Sequence, residues 1–502
     1  MVIARRPRFL CCLARVDGRS EGGASMGKRW AKRWTSSGPD HRRNNLLVSR
    51  ITPSPSSEPI HWALPPSKSH LIRSLLLSAQ SPTGVDLYNI QHAGEDARSM
   101  RRCLQQLGVK IEDFSEGGDL LHQVNPVNIE HNPEAKRWRV HGVGSGGFHR
   151  PATVLNAGNS GTTLRLLSTH AALIGGPVMV DGDGSLRRRT STELWSSLEQ
   201  AGVTISIGLG EERLPALLDG PMLVAKLAEG ITLDISRSSQ PLSSWILAAP
   251  SLPCSTTLRL EGDAVSSRHS SLSMELLEAF GGAFELKDDH LVLMPTALVP
   301  PTSYTVPGDA SMAAFALLAC TTTGRNITLI GWPNPRDAIG HELLESSSGV
   351  LGVHWDNDLL TLVEATEPAN LDLRNANDLL PPLAAVLAMN AGGCLTGAPH
   401  AAFKESNRLT RTSELLAQFG LKATVTSDGL EIEGHQMPAR PSLPVDTHGD
   451  HRLFMTAVLL AMNCGGDIIG QDLHTIADEA FLDRLTAAGV GVEMLVLPPL
   501  ED

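Results

Sequence analysis

From residue 60 onward one hydrophobic pattern recurs along the chain: an apolar stretch with helical spacing ends at a glycine, and a short β-prone run follows. It reads Leu104-Gln-Gln-Leu-Gly108-Val, Leu198-Glu-Gln-Ala-Gly202-Val, Leu277-Glu-Ala-Phe-Gly281-Gly and Leu344-Glu-Ser-Ser-Ser-Gly349-Val, then Leu416-Ala-Gln-Phe-Gly420-Leu and Leu485-Thr-Ala-Ala-Gly489-Val. A glycine just past a helix takes the left-handed conformation without a Cβ clash, which caps the helix and turns the chain into a strand. Successive glycines are 94, 79, 68, 71 and 69 residues apart, too regular for chance punctuation and too long for a solenoid repeat. Each interval has room for several strands and two helices. The expectation is an α/β protein of two domains with three such units each.

Before Pro66 the periodicity is absent, and the segment is rich in Arg and Ser and poor in acids. Residues 1–59 are therefore expected to form a disordered basic extension. A transit peptide, a basic interaction tail and an upstream start, with Met26 or a later residue opening the protein, all fit that composition.

Charge sharpens the division. The whole chain of 502 residues carries a formal charge of −12, yet residues 1–60 hold 12 Lys and Arg against four acids, leaving 30 basic against 50 acidic residues in the body. So acidic a body argues against a general nucleic-acid binder, while an anionic small molecule needs only local cations. The seven cysteines (11, 12, 103, 254, 320, 394 and 464) form no C-x-x-C pair, and their odd number suits reduced thiols in the cytoplasm rather than a zinc ribbon or a disulfide framework. No run of about 18 apolar residues is present, so no membrane span is expected. The reading is a soluble cytoplasmic protein, with organelle targeting left open by the extension.

Several clusters carry candidate chemistry. Pro66-Ser67-Lys68-Ser69-His70 with Arg73 offers hydroxyls, an ammonium and a guanidinium at a helix start, which is an anion site without the spacing of a P-loop. Asn156-Ala-Gly158-Asn159-Ser160-Gly161-Thr162 allows close backbone approach before a helix carrying Arg165. Gly142, Gly144 and Gly147 match G-x-G-x-x-G but run into Phe148-His149-Arg150-Pro151, so a dinucleotide fingerprint fails on context. Asp181-Gly-Asp-Gly-Ser185 precedes Arg187, Arg188 and Arg189, which cannot all face one way. Ser238, Ser239 and Gln240 supply neutral donors and acceptors. Further on come Gly308-Asp309-Ala-Ser311, Asn377-Asp378, Lys404-Glu405-Ser406-Asn407-Arg408 and Gly449-Asp450-His451-Arg452, with Lys404 and Arg408 on one face if that stretch is helical. Singly, each reads equally well as a solvated cap or turn. Their ordered combination is what points to a site.

In that order, Pro-Ser-Lys-Ser with Arg73, Asn-Ser-Gly-Thr with Arg165, Ser-Ser-Gln, Gly-Asp-Ala-Ser, Lys-Glu-Ser-Asn-Arg-Leu and Asp-His-Arg over about residues 60–495 resemble the enolpyruvyl transferase family, in its EPSP (5-enolpyruvylshikimate-3-phosphate) synthase branch. The resemblance implies a two-domain inside-out α/β barrel of six βαβαββ units, three per domain, with crossovers near 64–67 and 305–309. One domain would span 67–306 and the other 60–66 plus 307–502. The implied reaction moves the enolpyruvyl group of phosphoenolpyruvate onto the 5-hydroxyl of shikimate 3-phosphate, by addition and then elimination of phosphate, on the route to chorismate and the aromatic amino acids. It implies no metal, no cofactor, no nucleic-acid or membrane partner, and a monomer. Deprotonating an alcohol while protonating a vinyl carbon requires a placed base and acid, and two anionic ligands require fixed cations.

By motif, the resemblance makes Asp378 the base, Glu405 the acid and Lys68 the residue reaching both substrates. Lys68, Ser69 and Arg73, with Ser238, Ser239, Gln240, Ser266, Asp378 and Lys404, would bind shikimate 3-phosphate; Gly161, Arg408 and Arg452 would hold phosphoenolpyruvate. The chain departs from the family where Ser185 and Ile476 replace common cations, and at His269, Leu166 and Asn407. One of Arg187, Arg188 and Arg189 is a candidate to compensate for Ser185. Two other readings compete: transfer to UDP-N-acetylglucosamine, disfavoured by the Ser-Ser-Gln and Lys-Glu-x-x-Arg segments, and a non-catalytic anion-binding relative, motivated by the lost cations.

Overall fold

A helix that is apolar all round has no face to give to water and ends in the interior. Among the described residues six helices are buried along nearly their whole length: Lys68–Ala79, Gly161–Ala171, Gln240–Ala248, Ala313–Thr323, Leu380–Met389 and His451–Cys464. Outer helices such as Glu95–Gln106 and Arg408–Gln418 bury one side and leave charged residues on the other. The computed structural model describes residues 45–122, 131–208, 210–287, 289–335, 337–338 and 343–498. One compact unit runs from Leu47 to Leu497. Residues 1–44 of the expected extension lie outside the described residues.

The strands alternate buried and outward residues, as in Ile60–Ala63, Ile231–Asp234 and Ala369–Asp372. Among the described residues they form six separate sheets of three to five strands, and none closes into a barrel. In the unit at 231–294, strand Ile231–Asp234 pairs in parallel with Thr256–Glu261 across a buried helix; an outer helix then leads to the antiparallel strands Ala283–Leu286 and His290–Met294. The same βαβαββ order recurs at 155–220 and at 369–432. Helices fill the interior and sheets cover them, the inside-out arrangement.

The recurring glycines close their helices by one hydrogen-bond pattern. The residue after the glycine donates to the carbonyl five positions back: Val109 to Leu104, Val203 to Leu198, Gly282 to Leu277, Leu421 to Leu416 and Val490 to Leu485. This is the Schellman closure, and it requires the left-handed glycine that Gly108 shows at φ +97°. The fourth unit departs from expectation. There Val353 donates to Ser348, and the positive φ, +75°, belongs to Gly352 rather than Gly349. The helix Leu343–Ser346 is only four residues long and the chain runs on through turns, so the cap falls three residues later.

Two units borrow their first strand from elsewhere in the chain. Ser303–Thr305 pairs with Val85–Tyr88, and Ile60–Ala63 pairs with Ile327–Ile330. The chain therefore crosses twice, side by side: Pro66 bridges Gly308, Ser67 N–H donates to Pro307 O at 2.8 Å, and Asp309 N–H donates to Pro65 O at 2.8 Å. Two clusters of buried apolar side chains result, one drawn from Leu71 to Val306 and the other from Ile51 to Val490.

The disordered extension needs a correction. Leu46–Thr52 is a strand, antiparallel to Gly466–Ile469, with Val48 and Ile51 buried and Arg50 paired to Asp467 at 2.7 Å. Its partner lies more than 400 residues away (Val48 opposite Ile469), so no local turn announces it.

Candidate active site

The start of a helix exposes unpaired N–H groups and the positive end of the helix dipole. Five of the six buried helices begin on one cavity, through Lys68, Gly161, Gln240, Asp378 and His451; in the turn before the sixth, Ser311 accepts from Nη2 of the lining Arg452 at 3.2 Å. The cavity encloses about 1160 Å³ including its open mouth. Eight Lys and Arg line it against four Asp and Glu. A cationic cleft thus sits inside an acidic body. Every residue carried over by motif lines it: Lys68, Ser69, Arg73, Gly161, Ser238, Ser239, Gln240, Ser266, Asp378, Lys404, Glu405, Arg408 and Arg452.

On the N-terminal side Arg73 and Arg165 rest on neutral acceptors, while Lys68 pairs with Asp96 at 2.9 Å and Arg237 with Glu193 at 3.3 Å. Arg73 is buried and donates to Ser273 Oγ at 2.8 Å, Ser69 O at 3.0 Å, His269 O at 3.2 Å and Ser243 Oγ at 3.3 Å. Burial pulls its pKa down to about 9. Arg165 donates to Gln240 Oε1, to Thr190 O at 2.8 Å and to Ser191 Oγ at 3.1 Å, and burial, with Arg189 nearby, lowers it to about 10. Gln240 Nε2 in turn donates to Thr162 Oγ1 at 2.9 Å. Ser160 caps the Gly161 helix by accepting from Thr163 N–H, and a Cβ on Gly161 would lie 2.7 Å from Arg165 Nη1, so the glycine lets this guanidinium approach the backbone.

Of the three adjacent arginines, Arg187 pairs with Asp181 at the surface, Arg188 is exposed, and Arg189 lines the cavity. Arg189 donates to Asn159 Oδ1 at 2.8 Å and to Ser185 Oγ at 3.0 Å, and it reaches Glu405 at 3.4 Å. Ser185 thus orients the arginine four residues on. Ile476 is buried outside the cavity lining, with its carbonyl packed against Gly94.

On the C-terminal side Arg408 and Arg452 are held by carboxylates. Arg408 is 1% exposed and reaches Asp378 at 2.7 Å, Glu405 at 2.6 Å and Asp450 at 2.9 Å. Burial opposes its charge, but Asp450, Glu405 and Asp378 outweigh burial and raise its pKa. Asp450 also accepts from Arg452 N–H at 2.9 Å, capping the helix that carries Arg452. Arg452 Nη2 lies 3.1 Å from the other oxygen of Asp378, and its buried Nε and Nη1 have no protein partner among the described residues. Burial pushes Asp378 up, yet Arg452, Lys404, Arg408 and Lys68 hold it well below the usual carboxylate range. Glu405 behaves alike: burial raises it, and Arg408, Arg189, His451 and Lys68 bring it well below its ordinary value. Lys404 is lowered by burial, with Asp378 opposing.

Lys404 and Arg408 do not share a helix face. Asn407 caps the helix by accepting from Thr410 N–H, so the helix starts at Arg408 and Lys404 precedes it in extended backbone. Both line the cavity all the same.

Ser266 sits where both halves meet. At φ +51° it is a left-handed non-glycine residue, its N–H donates to Arg374 O at 3.2 Å, and its Oγ accepts from Asn377 Nδ2 at 3.3 Å and lies 3.5 Å from His400 Nε2. Burial lowers His400 and His451 to about 4, so both are neutral at pH 7. Motif reading did not single out Asp96, Glu193 or His400, which line the cavity from stretches that carry no local signature, and Arg237 and Phe403 line it from positions directly beside the Ser238 and Lys404 motifs. Among the described residues no His, Cys, Asp and Glu are grouped to hold a metal ion, and no helix is long and apolar enough to cross a membrane.

Comparison with known proteins adds an independent line. The family profile described as EPSP synthase (3-phosphoshikimate 1-carboxyvinyltransferase) matches residues 61–483. The 3-phosphoshikimate 1-carboxyvinyltransferase of Methanocella arvoryzae is 31% identical over 353 residues, covering 68% of this chain and 81% of that protein. The protein of the same name from Methanothermobacter thermautotrophicus is 27% identical over 433 residues, covering 85% of this chain and 94% of its own length. Among solved structures, EPSP synthase from Acinetobacter baumannii superposes with a TM-score of 0.67 at 22% identity, covering 89% of this chain and all of that one. The enolpyruvyl transferase NikO from Streptomyces tendae superposes at 0.63 and 13% identity, over 90% of this chain.

Proposed function

This chain belongs to the EPSP synthase family, the 3-phosphoshikimate 1-carboxyvinyltransferases, and on that premise we propose how its own residues divide the reaction. The transferase moves the enolpyruvyl group of phosphoenolpyruvate to shikimate 3-phosphate in aromatic amino-acid biosynthesis. Arg73, Ser69, Ser238, Ser239, Gln240, Ser266 and Lys404 take shikimate 3-phosphate. Arg408, Arg452, Arg189 and the Gly161 backbone take phosphoenolpyruvate, and Lys68 reaches both. Asp378 accepts the proton of the 5-hydroxyl as its oxygen bonds to C2 of phosphoenolpyruvate, while Glu405 gives a proton to the methylene carbon. In the second step the methyl group returns a proton, the C–O bond to phosphate breaks and phosphate leaves.

The observation that carries this reading is the double engagement of Asp378, 2.7 Å from Arg408 and 3.1 Å from Arg452. The carboxylate assigned to the acceptor hydroxyl already touches the two guanidiniums assigned to the donor, so both substrates would meet at one point. An anion that takes up Arg408 and Arg189 also removes two of the charges that depress Glu405. Its pKa then rises, as an acid requires.

The same reading makes 67–306 and 60–66 plus 307–502 the two domains that close over the substrates. It also makes the protein a cytoplasmic monomer with no nucleic-acid or membrane partner. Incubation with both substrates should release phosphate, while either substrate alone, or UDP-N-acetylglucosamine with phosphoenolpyruvate, should release none. Absence of release with both substrates would overturn the reading.

A further inference from the structure

Lys68 is the residue on which both proposed subsites converge, and a lysine is a point charge on a long flexible stem that must be held to be useful. The group that holds it comes from a different helix. Asp96, in the first turn of Glu95–Gln106, places Oδ2 2.9 Å from Lys68 Nζ. The Asp96 side chain is 6% exposed, and Oδ1 is buried with no protein donor among the described residues. Its backbone is anchored as well. Thr163 Oγ1 donates to Asp96 O at 2.9 Å, tying this turn to the helix that begins at Gly161 on the cavity wall.

The charged groups facing Lys68 are Asp96, Asp378 and Glu405 on the acidic side and Arg452 and Lys404 on the basic side, with Asp309 accepting from the Lys68 backbone N–H at 3.3 Å. Asp378 and Glu405 are already committed to arginines. Asp96 is the carboxylate committed to Lys68.

We propose that Asp96 is a positioning residue that fixes the Lys68 ammonium where the two substrates meet, acting through Lys68 and not on substrate. The proposal rests on the reading of Lys68 as a shared substrate contact. It gives Asp96 a second consequence: burial acts to discharge Lys68, and Asp96 leads the groups that oppose it and keep its pKa above the ordinary value.

The test is calorimetric binding of shikimate 3-phosphate to the full chain across pH, with Asp96→Asn, Asp96→Glu, Lys68→Met and the double variants. Asp96→Asn is expected to move the part of the alkaline limb that depends on Lys68, read as the difference from the Lys68→Met background in which Arg73 alone titrates, down by about 1 to 3 pH units, so that its loss of affinity grows as pH rises. Asp96→Glu, which keeps the charge, should retain the original limb. In the Lys68→Met background either Asp96 change should alter affinity less than about twofold. An unmoved limb in Asp96→Asn, or an equal loss of affinity with and without Lys68, assigns Asp96 to the fold alone and overturns the proposal. Should Asp96→Asn lack a cooperative thermal transition, the Asp96→Glu and Lys68→Met cycle decides by the same criterion. Binding is read without turnover, so a chain that binds shikimate 3-phosphate yet releases no phosphate fails the proposed function alone. A chain that does not bind shikimate 3-phosphate overturns both.

Discussion

Arg73 and Arg165 on one wall of the cavity and Arg408 on the other are held in opposite ways. On the N-terminal wall, Arg73 and Arg165 rest on hydroxyls, carbonyls and an amide, and burial pulls them down to about 9 and about 10. On the C-terminal wall, Arg408 sits among three carboxylates and is raised. A buried cation with only neutral partners is poorly stabilised until an anion arrives, so it contributes to affinity at some cost to the fold. A buried cation within a carboxylate network is stable alone. When a substrate anion draws on it, the neighbouring carboxylates change their basicity. The first arrangement suits binding and the second suits proton transfer.

The largest effect should come from the second wall. Asp378→Asn keeps the shape and loses the base, so kcat is expected to fall by about 10² to 10⁴-fold with far less change in shikimate 3-phosphate affinity. Steady-state kinetics with calorimetry checks this, and parallel losses in both would make Asp378 a binding group.

A stability contrast between the walls comes next. Asp450→Asn removes a fully buried partner of Arg408 and should cost about 3 kcal/mol by urea unfolding. Arg73→Met removes a guanidinium with no carboxylate partner in the hydrogen bonds above, and it should leave unfolding within about 1 kcal/mol while weakening shikimate 3-phosphate about 100-fold. Equal destabilisation by the two changes would erase the distinction between the walls.

The effect that is smallest near neutral pH, and that grows as pH falls, is shared by both halves of the molecule. Burial lowers His70 to about 3 and His170, His400 and His451 to about 4. The unfolded chain therefore binds more protons between the ordinary histidine value and pH 4, and stability is full above about pH 6.5 and falls as pH drops through that window. The depressed carboxylates Asp378 and Glu405 add their loss only at still lower pH. Thermal melting against pH should show a gradual decline followed by a steeper one, and a melting temperature flat from pH 7 to 4 would contradict the burial of these histidines.

Much of this was legible from the chain because it is local. The Leu104-to-Val109 closure spans six residues, so its signature survives in sequence, and five of the six glycines cap where expected. The fourth slipped to Gly352 because Ser-Ser-Ser-Gly is an equally good local stop and only the placement of Val353 against Leu362 selects the true one. Ser160, Asp309, Asn407 and Asp450 act as caps within two or three residues of their partners. Non-local features left no such trace. The strand Leu46–Thr52, the borrowed strand Ser303–Thr305, and the choice of Arg189 over Arg187 and Arg188 depend on segments far apart in the chain.

The sequence by itself determined the helix ends, the repeat and the kinds of side chain gathered for an anionic reaction, because caps and turns are set by a few bonds between near neighbours. Only the tertiary structure decided which cations meet neutral acceptors and which meet carboxylates, and that Asp96 stands beside Lys68. Protonation and reach in a buried site depend on distances of a few ångströms in a medium of low polarity. Those distances are fixed by how distant segments pack.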